Sequence, residues 1–280
     1  MRLIRAYRPM LLTAGLLSCF QSVAGAQSYW HDDAGRAQYR LELLKPFVKN
    51  VDESFLTGSA FLSGSFLVGT GLRLEAELPF TRAAFSLPVL GDTLDVSGSR
   101  IGNPYIGLVS HRGERPFAFR VGLRLPLSGG ADDLEDLTAL AVGGASDIDR
   151  LEAFAPEVIT LRGGVEWLKV QPGGLLLGAA LGPSLLVDDG FDDAELLGDY
   201  GFRLGYRSEG FQTYAALTGR INLTSDDAEG LSERTQHQLT GAIALRRGRL
   251  RPEALVRFPL DEGIRDLVGV IVGVGLRLVY

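Results

Sequence analysis

The chain has 280 residues, of which 46% are hydrophobic and 36 are glycine, and it carries a formal charge of −6 at pH 7. Its glycine content is well above the usual share of about 7%. An acidic balance argues against nucleic acid as a partner, and a single cysteine excludes a disulfide framework.

Residues 1–26 have the features of a secretory signal peptide. An apolar run at 10–17 follows a positively charged start and precedes the small-residue sequence AGA at 24–26. Three arginines supply the positive charge: Arg2, Arg5 and Arg8. We therefore expect one mature domain, residues 27–280, in which 25 basic and 34 acidic residues give a formal charge of −9.

The sequence LLSC at 16–19 offers a rival processing site, because it loosely resembles the box that precedes a lipid-modified cysteine. Leu17 is bulky where a small or branched residue is more usual, so we expect cleavage after Ala26 instead. Cys19 then leaves with the signal, and the mature chain has neither a cysteine nucleophile nor a cysteine-based metal site.

Beyond the signal, the dominant pattern has a period of two, which is typical of β-strands with one apolar face. In GLRLEAELPF (71–80), apolar residues alternate with Arg73, Glu75 and Glu77. Residues 117–127 repeat this alternation, with arginines among the polar positions. The pattern predicts twelve strands, at 36–48, 55–68, 71–80, 100–111, 116–127, 157–169, 174–187, 195–207, 211–223, 232–246, 250–259 and 267–280.

The connections between these predicted strands alternate between short turns and long loops. The short turns contain glycine or proline. The long loops lie at 49–54, 81–99, 128–156, 188–194, 224–231 and 260–266, and most are acidic. Outer-membrane barrels have short periplasmic turns and longer extracellular loops. The sequence therefore predicts an all-β fold: a transmembrane antiparallel up-and-down β-barrel in the outer membrane of a Gram-negative cell, with both termini in the periplasm.

The final segment, LVGVIVGVGLRLVY (267–280), fits the closing strand of such a barrel. The alternation directs toward lipid Val268, Val270, Val272, Val274, Leu276, Leu278 and Tyr280, and toward the lumen Gly269, Gly273, Gly275 and Arg277. Bacterial barrels typically end in an aromatic residue that the assembly machinery recognises. We therefore expect that machinery as a partner, through the strand that ends at Tyr280.

Residues 102–130, GNPYIGLVSHRGERPFAFRVGLRLPLSGG, combine a strand, a tight turn, an arginine-bearing strand ending in LRLPL, and a long loop. This hairpin resembles the outer-membrane proteins assigned to the MetA pathway of phenol degradation, which are loosely described as transporters. The resemblance implies passage of small, including aromatic, molecules across the outer membrane. It transfers no catalytic residue.

Side chains alternate between the two faces of each predicted strand, and on this basis seventeen charged side chains face the lumen, of which twelve are arginine. They are Arg40, Glu42, Arg73, Glu75, Glu77, Arg120, Arg124, Arg162, Glu166, Arg203, Arg207, Arg220, Arg234, Arg251, Glu253, Arg257 and Arg277. Guanidinium groups lower the barrier for anions and offer planar partners to carboxylates and aromatic rings. We therefore predict a pore or facilitated transporter for small anionic or aromatic solutes. The alternative is that arginine and glutamate pair across a narrow lumen and fill it.

The long segment 131–154 bears on that choice. Asp132 is predicted to cap a helix, with Glu135 at the capping-box spacing. One face of this helix would carry Leu134, Leu137, Thr138 and Ala141. The helix could fold into the lumen as a constriction or lie across the mouth as a lid, and the segment could equally be a mobile surface loop.

The acidic loops at 187–195 and 225–230 contain potential calcium ligands, but their spacing does not match a calcium-binding loop. We predict solvated loops, no metal site and no cofactor. A non-conducting barrel whose acidic loops bind a partner or lipopolysaccharide is the alternative function.

An enzymatic function would need a nucleophile beside a histidine on the lipid face, as in barrels that hydrolyse lipids. His237 has outward parity, but its flanking sequence TQHQL has no serine two residues on, and the chain contains no G-x-S-x-G motif. We therefore expect no enzymatic activity, and we expect the lipid membrane itself to surround the barrel.

Overall fold

The structure is a computed structural model that describes residues 36–49, 51–89, 92–111, 116–188, 194–224 and 234–280. The predicted signal peptide and the acidic loop at 225–230 lie outside the described residues.

Within the described residues, fourteen strands form one antiparallel sheet. They are β1 (Gln38–Val48), β2 (Asp52–Glu53), β3 (Gly58–Gly69), β4 (Leu72–Val89), β5 (Asp92–Ile101), β6 (Tyr105–His111), β7 (Phe117–Arg124), β8 (Val158–Val170), β9 (Leu175–Asp188), β10 (Ala194–Arg207), β11 (Phe211–Asn222), β12 (Thr235–Leu245), β13 (Leu250–Pro259) and β14 (Val268–Val279). Two α-helices are present as well, α1 (Leu134–Ser146) and α2 (Glu262–Arg265), with a 3-10 helix at Ile148–Ala153.

The sheet closes on itself because the first strand pairs with the last. β1 lies between β14 and β3, with Arg40 opposite Arg277 across the seam. β4 pairs with β3 and β6, and the remaining strands follow in chain order. Twelve of the described strands, all except β2 and β5, therefore form a complete ring. The predicted antiparallel up-and-down barrel is confirmed.

The predicted long loop at 81–99 is wrong. β4 continues to Val89, and β5 pairs with it along the whole stretch from Val89↔Asp92 to Phe80↔Ile101. β2 adds a short third strand, with Asp52 opposite Ser86. The sequence of this hairpin contains glycine and proline, but main-chain pairing with a neighbouring strand outweighs those local turn signals.

The strand predicted at 116–127 ends earlier, at Arg124. Pro126 has no N–H to donate to a neighbouring strand, so the ladder loses a hydrogen bond where this strand ends. The chain leaves the wall at this point with Leu125 and Leu127 still exposed, and it enters the interior farther along, in α1.

The side chains of the wall follow the predicted parity. Leu78, Phe80, Phe119 and Phe202 are exposed on the outer surface, where a contiguous apolar band faces hydrocarbon in a transmembrane barrel. The charged residues between them are buried inside: Arg73, Glu75 and Glu77 are 1%, 6% and 5% exposed. A closed ring can turn its apolar side chains outward and its charged side chains inward, because every backbone group in the wall can be paired within the sheet.

The closing strand β14 fits its prediction except at its start. Val272, Val274, Leu276 and Tyr280 are exposed as expected, whereas Val268, predicted to face lipid, is only 1% exposed. The pairing with β1 skips Gly269: Phe47 lies opposite Val270, and Val48 lies opposite Val268. This irregularity shifts the alternation by one residue and turns Val268 into the interior.

The segment between β7 and β8 folds into the lumen. We call residues 134–154, comprising α1 and the 3-10 helix, the plug. Leu140, Ala153 and Phe154 of the plug share an apolar cluster with the inward-facing wall residues Leu44, Phe61, Leu255 and Ile271. Of the three placements considered for 131–154, the structure has the inward one.

Two details predicted for this helix are wrong. The N-cap is Asp133, whose carboxylate accepts a 2.8 Å hydrogen bond from the backbone N–H of Asp136, rather than Asp132. The helix does not bury one face along its length. Its N-terminal end is exposed, as at Leu134, whereas all residues from 139 to 144 are buried on every side. No helix among the described residues is long and apolar enough to cross a bilayer.

Candidate functional site: the plugged lumen

Arg150 lies at the centre of the barrel and connects the plug to two strands of the wall. Its guanidinium donates to Glu42 Oε2 on β1 at 2.7 Å and to Glu77 Oε2 on β4 at 3.0 Å. It also donates to Asp147 within the plug at 2.5 Å and stacks 3.5 Å from the centroid of the Phe61 ring. Burial disfavours its charge, but the carboxylates of Asp147, Glu42 and Glu77 raise the pKa of Arg150 well above its usual value.

Three acidic side chains of the plug reach five other strands. Asp147 pairs with Arg257 on β13 at 2.6 Å. Asp149 accepts hydrogen bonds from Thr218 on β11 at 2.9 Å and from Gln238 on β12 at 3.3 Å. A third acid, Glu152, lies 3.8 Å from guanidinium nitrogens on both β7 and β8, contributed by Arg124 and Arg162. Together with Arg150, these acids anchor the plug to seven strands around the ring.

The acids of the plug differ in how easily they ionise, and Asp149 is half-buried whereas Glu152 is buried. Burial, and then the charge of Asp147, raise the pKa of Asp149 to about 6, although Arg257 and the Thr218 hydrogen bond act in the opposite direction. Burial also raises the pKa of Glu152 against the effect of the nearby arginines. Asp149 is therefore a group of the plug that changes charge close to neutral pH.

The wall holds the returning end of the plug at the break between β5 and β6. Asn103 is fully buried, and its amide donates to the backbone oxygens of Glu152 at 3.0 Å and Ala155 at 2.6 Å. Its side-chain oxygen accepts from the backbone N–H of Ser128 at 2.8 Å. Gly102 makes the close approach possible, because a Cβ at this position would lie 2.2 Å from the Ala153 oxygen.

Most of the predicted lumen residues lie in the interior as ion pairs. Arg124 pairs with Glu77 at 2.8 Å, and Arg73 and Arg120 approach Glu75 at 3.4 and 3.7 Å. The other pairs are Arg162 and Arg220 with Asp199 at 3.4 and 2.7 Å, Arg257 with Glu42 at 3.2 Å, and Arg277 with Glu253 at 3.1 Å.

The remaining predicted residues make other contacts. Arg203 stacks on the ring of Tyr214 at 3.6 Å, and Arg251 donates to the Gly248 oxygen at 3.3 Å at the mouth of the barrel. Glu166 is buried in the wall. The predicted set thus shares one interior, in which arginine and carboxylate compensate each other over much of the lumen.

Sequence reasoning missed several residues that organise this interior. Asp199 is fully buried and joins Arg162, Arg220 and Ser184, with the Ser184 hydroxyl donating at 2.5 Å. Asp199 faces the same side of β10 as Arg203, so the alternation of the sequence alone could have identified Asp199 as a lumen residue. Arg150 had no such signal, since it lies outside any strand.

The outer face carries a different polar group near the long-loop end. The His237 Nε2 atom lies 2.6 Å from the Tyr200 hydroxyl, and its Nδ1 atom lies 3.0 Å from Asp261 Oδ1. The Tyr200 ring crosses the outer wall over Gly219, where a Cβ would lie 2.7 Å from it. Both ring nitrogens of His237 are thus engaged, one by the Tyr200 hydroxyl and the other by the Asp261 carboxylate.

No family model and no curated protein matches this sequence. Among solved structures, the barrel is similar to the COG4313 outer membrane channel from Pseudomonas putida F1, with a TM-score of 0.59 and 12% identity over 92% of this chain and 100% of that chain. Less similar are LpxR from Salmonella typhimurium (TM-score 0.49, 9% identity, 86% and 99% covered) and the NanC porin (TM-score 0.47, 8% identity, 86% and 98% covered). The likeness to the Pseudomonas putida F1 channel, at 12% identity, establishes the fold alone: the chain folds as a twelve-stranded β-barrel of the outer-membrane type.

Proposed function

We propose that this protein is an outer-membrane channel for small solutes, closed in the present conformation by the plug. The apolar outer surface, the charged interior and the closed ring support this function. The similar structure from Pseudomonas putida F1 is described as an outer membrane channel, and it shares the fold over 92% of the chain.

The observation that carries the proposal is the kind of contact between the plug and the wall. Seven strands hold the plug through ion pairs and hydrogen bonds of Asp147, Asp149, Arg150 and Glu152. Alongside the apolar contacts of Leu140, Ala153 and Phe154, these polar groups can be solvated when the plug leaves its site, and the paired strands of the wall can stay folded without it. Replacing buried ion pairs by apolar residues is often neutral or stabilising, so the stability of the fold alone does not require this polar network.

The solutes we propose are small anions, including aromatic ones. Arginine dominates the inward-facing charges, and guanidinium groups bind carboxylates and stack on aromatic rings. The resemblance of residues 102–130 to the MetA-pathway proteins supports the aromatic part of this solute class. The filled interior favours one second candidate, a non-conducting barrel whose loops bind a partner or lipopolysaccharide.

The proposal also fixes an orientation. The plug enters from the end that carries the long loops, which in outer-membrane barrels is extracellular. Both termini of the barrel then lie in the periplasm, where the assembly machinery can bind the strand that ends at Tyr280. Accessibility of an epitope tag placed after Tyr280 in intact and in permeabilised cells tests this orientation.

Conductance of a plug variant tests the proposed function. In Gly102→Val, the new side chain occupies the space of the Ala153 oxygen and the Phe154 ring, so we expect discrete conductance steps in planar bilayers, with wild type mostly closed. Gly241→Val is the matched control, because a Cβ there meets only Val256 at 3.6 Å. If neither wild type nor Gly102→Val conducts, while both show the heat-dependent gel shift of a folded barrel, the non-conducting candidate is correct.

A further inference from the structure

The outer face of the barrel wall is predominantly apolar, so a charged side chain on it is exceptional. On β9, β10, β11, β13 and β14, no outward position carries a charged side chain. Two cations nevertheless face outward toward the long-loop end, Lys45 on β1 and Arg82 on β4. Their inward-facing neighbours Leu44, Thr81 and Ala83 are 2%, 0% and 0% exposed, which fixes the outward direction of both cations. Both therefore belong to the surface that lipids cover.

The two cations flank one glycine on the strand between them. Arg82 lies directly opposite Gly58 on β3, and the Cα of Lys45 lies 3.3 Å from the place that a Cβ of Gly58 would take. We call Lys45 and Arg82 the rim cations. Because neighbouring strands are about 4.8 Å apart, their main chains are about 10 Å apart. Gly58 places no side chain between them, and both long side chains can bend toward a single group over β3.

The rim cations lie where the apolar band of the wall ends. Arg82 is ten positions beyond Leu72, the first residue of β4, and a transmembrane strand needs about 9–11 residues. The outward residue before it is the exposed Phe80, whereas farther along β4 the Ser86 hydroxyl donates to Asp95 on β5 at 2.7 Å. Apolar side chains thus give way to polar ones at this level. A cation on the lipid face costs little here, at the interface, and far more at the bilayer midplane.

The segment that leads into β3 adds large apolar side chains beside the rim cations. The backbone N–H of Ser54 and the hydroxyl of Thr57 both donate to the Ala84 oxygen on β4 at 2.9 Å, which holds this segment against the wall. Within it, Phe55 and Leu56 are 85% and 63% exposed. Positive charge and exposed apolar surface therefore lie together, as an amphipathic anion requires.

The rim cations carry more charge than the described carboxylates balance. Lys45 Nζ lies 3.6 Å from Glu53 and donates to the Ser54 oxygen at 3.0 Å. Arg82 is exposed, and among the side chains that the structure describes it pairs with no carboxylate. A guanidinium can hold a phosphate through two parallel hydrogen bonds, and an ammonium group adds a point charge. Together the two cations suit a phosphate group.

We propose that the rim cations bind the phosphate of an outer-leaflet lipid, lipopolysaccharide, whose acyl chains lie along the apolar wall below. The site rests on the proposed orientation, in which the long-loop end is extracellular, and it does not require the barrel to conduct. It lies on the lipid-facing wall, and so it is separate from the acidic loops.

Titration of the purified barrel in neutral detergent with purified lipopolysaccharide tests this site. Microscale thermophoresis should show at least ten-fold tighter binding of lipopolysaccharide than of the same lipid after enzymatic removal of its phosphates. In Lys45→Gln/Arg82→Gln the affinity for lipopolysaccharide should fall at least ten-fold. Lys169→Gln is the matched control and should bind like wild type, because Lys169 is an exposed lysine at the short-turn end of β8.

Equal affinity for the intact and the dephosphorylated lipid, or unchanged binding in the double variant, overturns the proposal. Tighter binding of phosphatidylglycerol reassigns the site to a phospholipid, and equally tight binding of inorganic phosphate reassigns it to the free ion; either result also overturns it. If the double variant lacks the heat-dependent gel shift of a folded barrel, Arg82→Glu alone should lower the affinity at least ten-fold. Lipopolysaccharide binding in a barrel that never conducts would keep the site and remove the channel function, and conductance without binding would do the reverse.

Discussion

Replacing Arg150 by methionine removes the centre of the polar network while keeping a side chain of similar length. Three buried carboxylates lose a guanidinium partner at 2.5 to 3.0 Å. Removing one partner of a buried ion pair costs about 3–5 kcal/mol. The lower value applies here, because Glu42 keeps Arg257 at 3.2 Å, Glu77 keeps Arg124 at 2.8 Å, and Asp147 keeps Arg257 at 2.6 Å.

A loss of about 3 kcal/mol shifts the equilibrium between the docked and the released plug by roughly 100-fold, at 1.4 kcal/mol per factor of ten. Open probability in planar bilayers should rise accordingly, and cleavage of the plug by added protease should accelerate to a similar extent. Arg249→Met is the control, since Arg249 is exposed in a short turn. Wild-type open probability and wild-type protease resistance in Arg150→Met would mean that the ion pairs do not hold the plug.

Two further predictions concern the contacts of the plug, and a third concerns His237 on the outer face. Burial and Asp147 raise the pKa of Asp149 from 3.8 to about 6, so docking is favoured by protonation. This contribution is complete below about pH 4 and is lost as the pH rises through about 6, so open probability should increase between pH 5 and 7, and Asp149→Asn should abolish the increase. Asn103→Ala leaves buried backbone groups unpaired, which should weaken docking by about 1–3 kcal/mol and speed protease cleavage of the plug. Incubation with phospholipid and calcium should release no fatty acid from wild type or from His237→Ala, and release that depends on His237 would contradict a non-enzymatic barrel.

The barrel wall could be predicted from the sequence because its signal is local. The alternation of Arg73, Glu75 and Glu77 with apolar neighbours fixes the face of each side chain, and the turn residues fix where the strands end. The hairpin of β4 and β5 was missed because its pairing depends on a neighbouring strand and not on its own composition. Val268 was misplaced because a pairing irregularity at Gly269 leaves no mark in the residue pattern.

The interior was less predictable because its contacts are distant in sequence. Arg150 and Glu42 are 108 positions apart, and neither residue reveals its partner. The polar residues of the plug, Asp147, Asp149 and Glu152, have the composition of a solvated loop. Asp147 and Glu152 become buried, and Asp149 half-buried, because the lumen offers each of them a cation or a hydroxyl group.

The seam between β1 and β14 has a consequence for how the molecule forms. The two strands lie at opposite ends of the described chain, so the ring can close only after all intervening strands have been placed. Before closure, an incomplete sheet in lipid has two edges of unpaired backbone groups, each of which is costly in hydrocarbon. Completion of the wall is therefore an all-or-none event, and partly built sheets are too costly to accumulate in the bilayer.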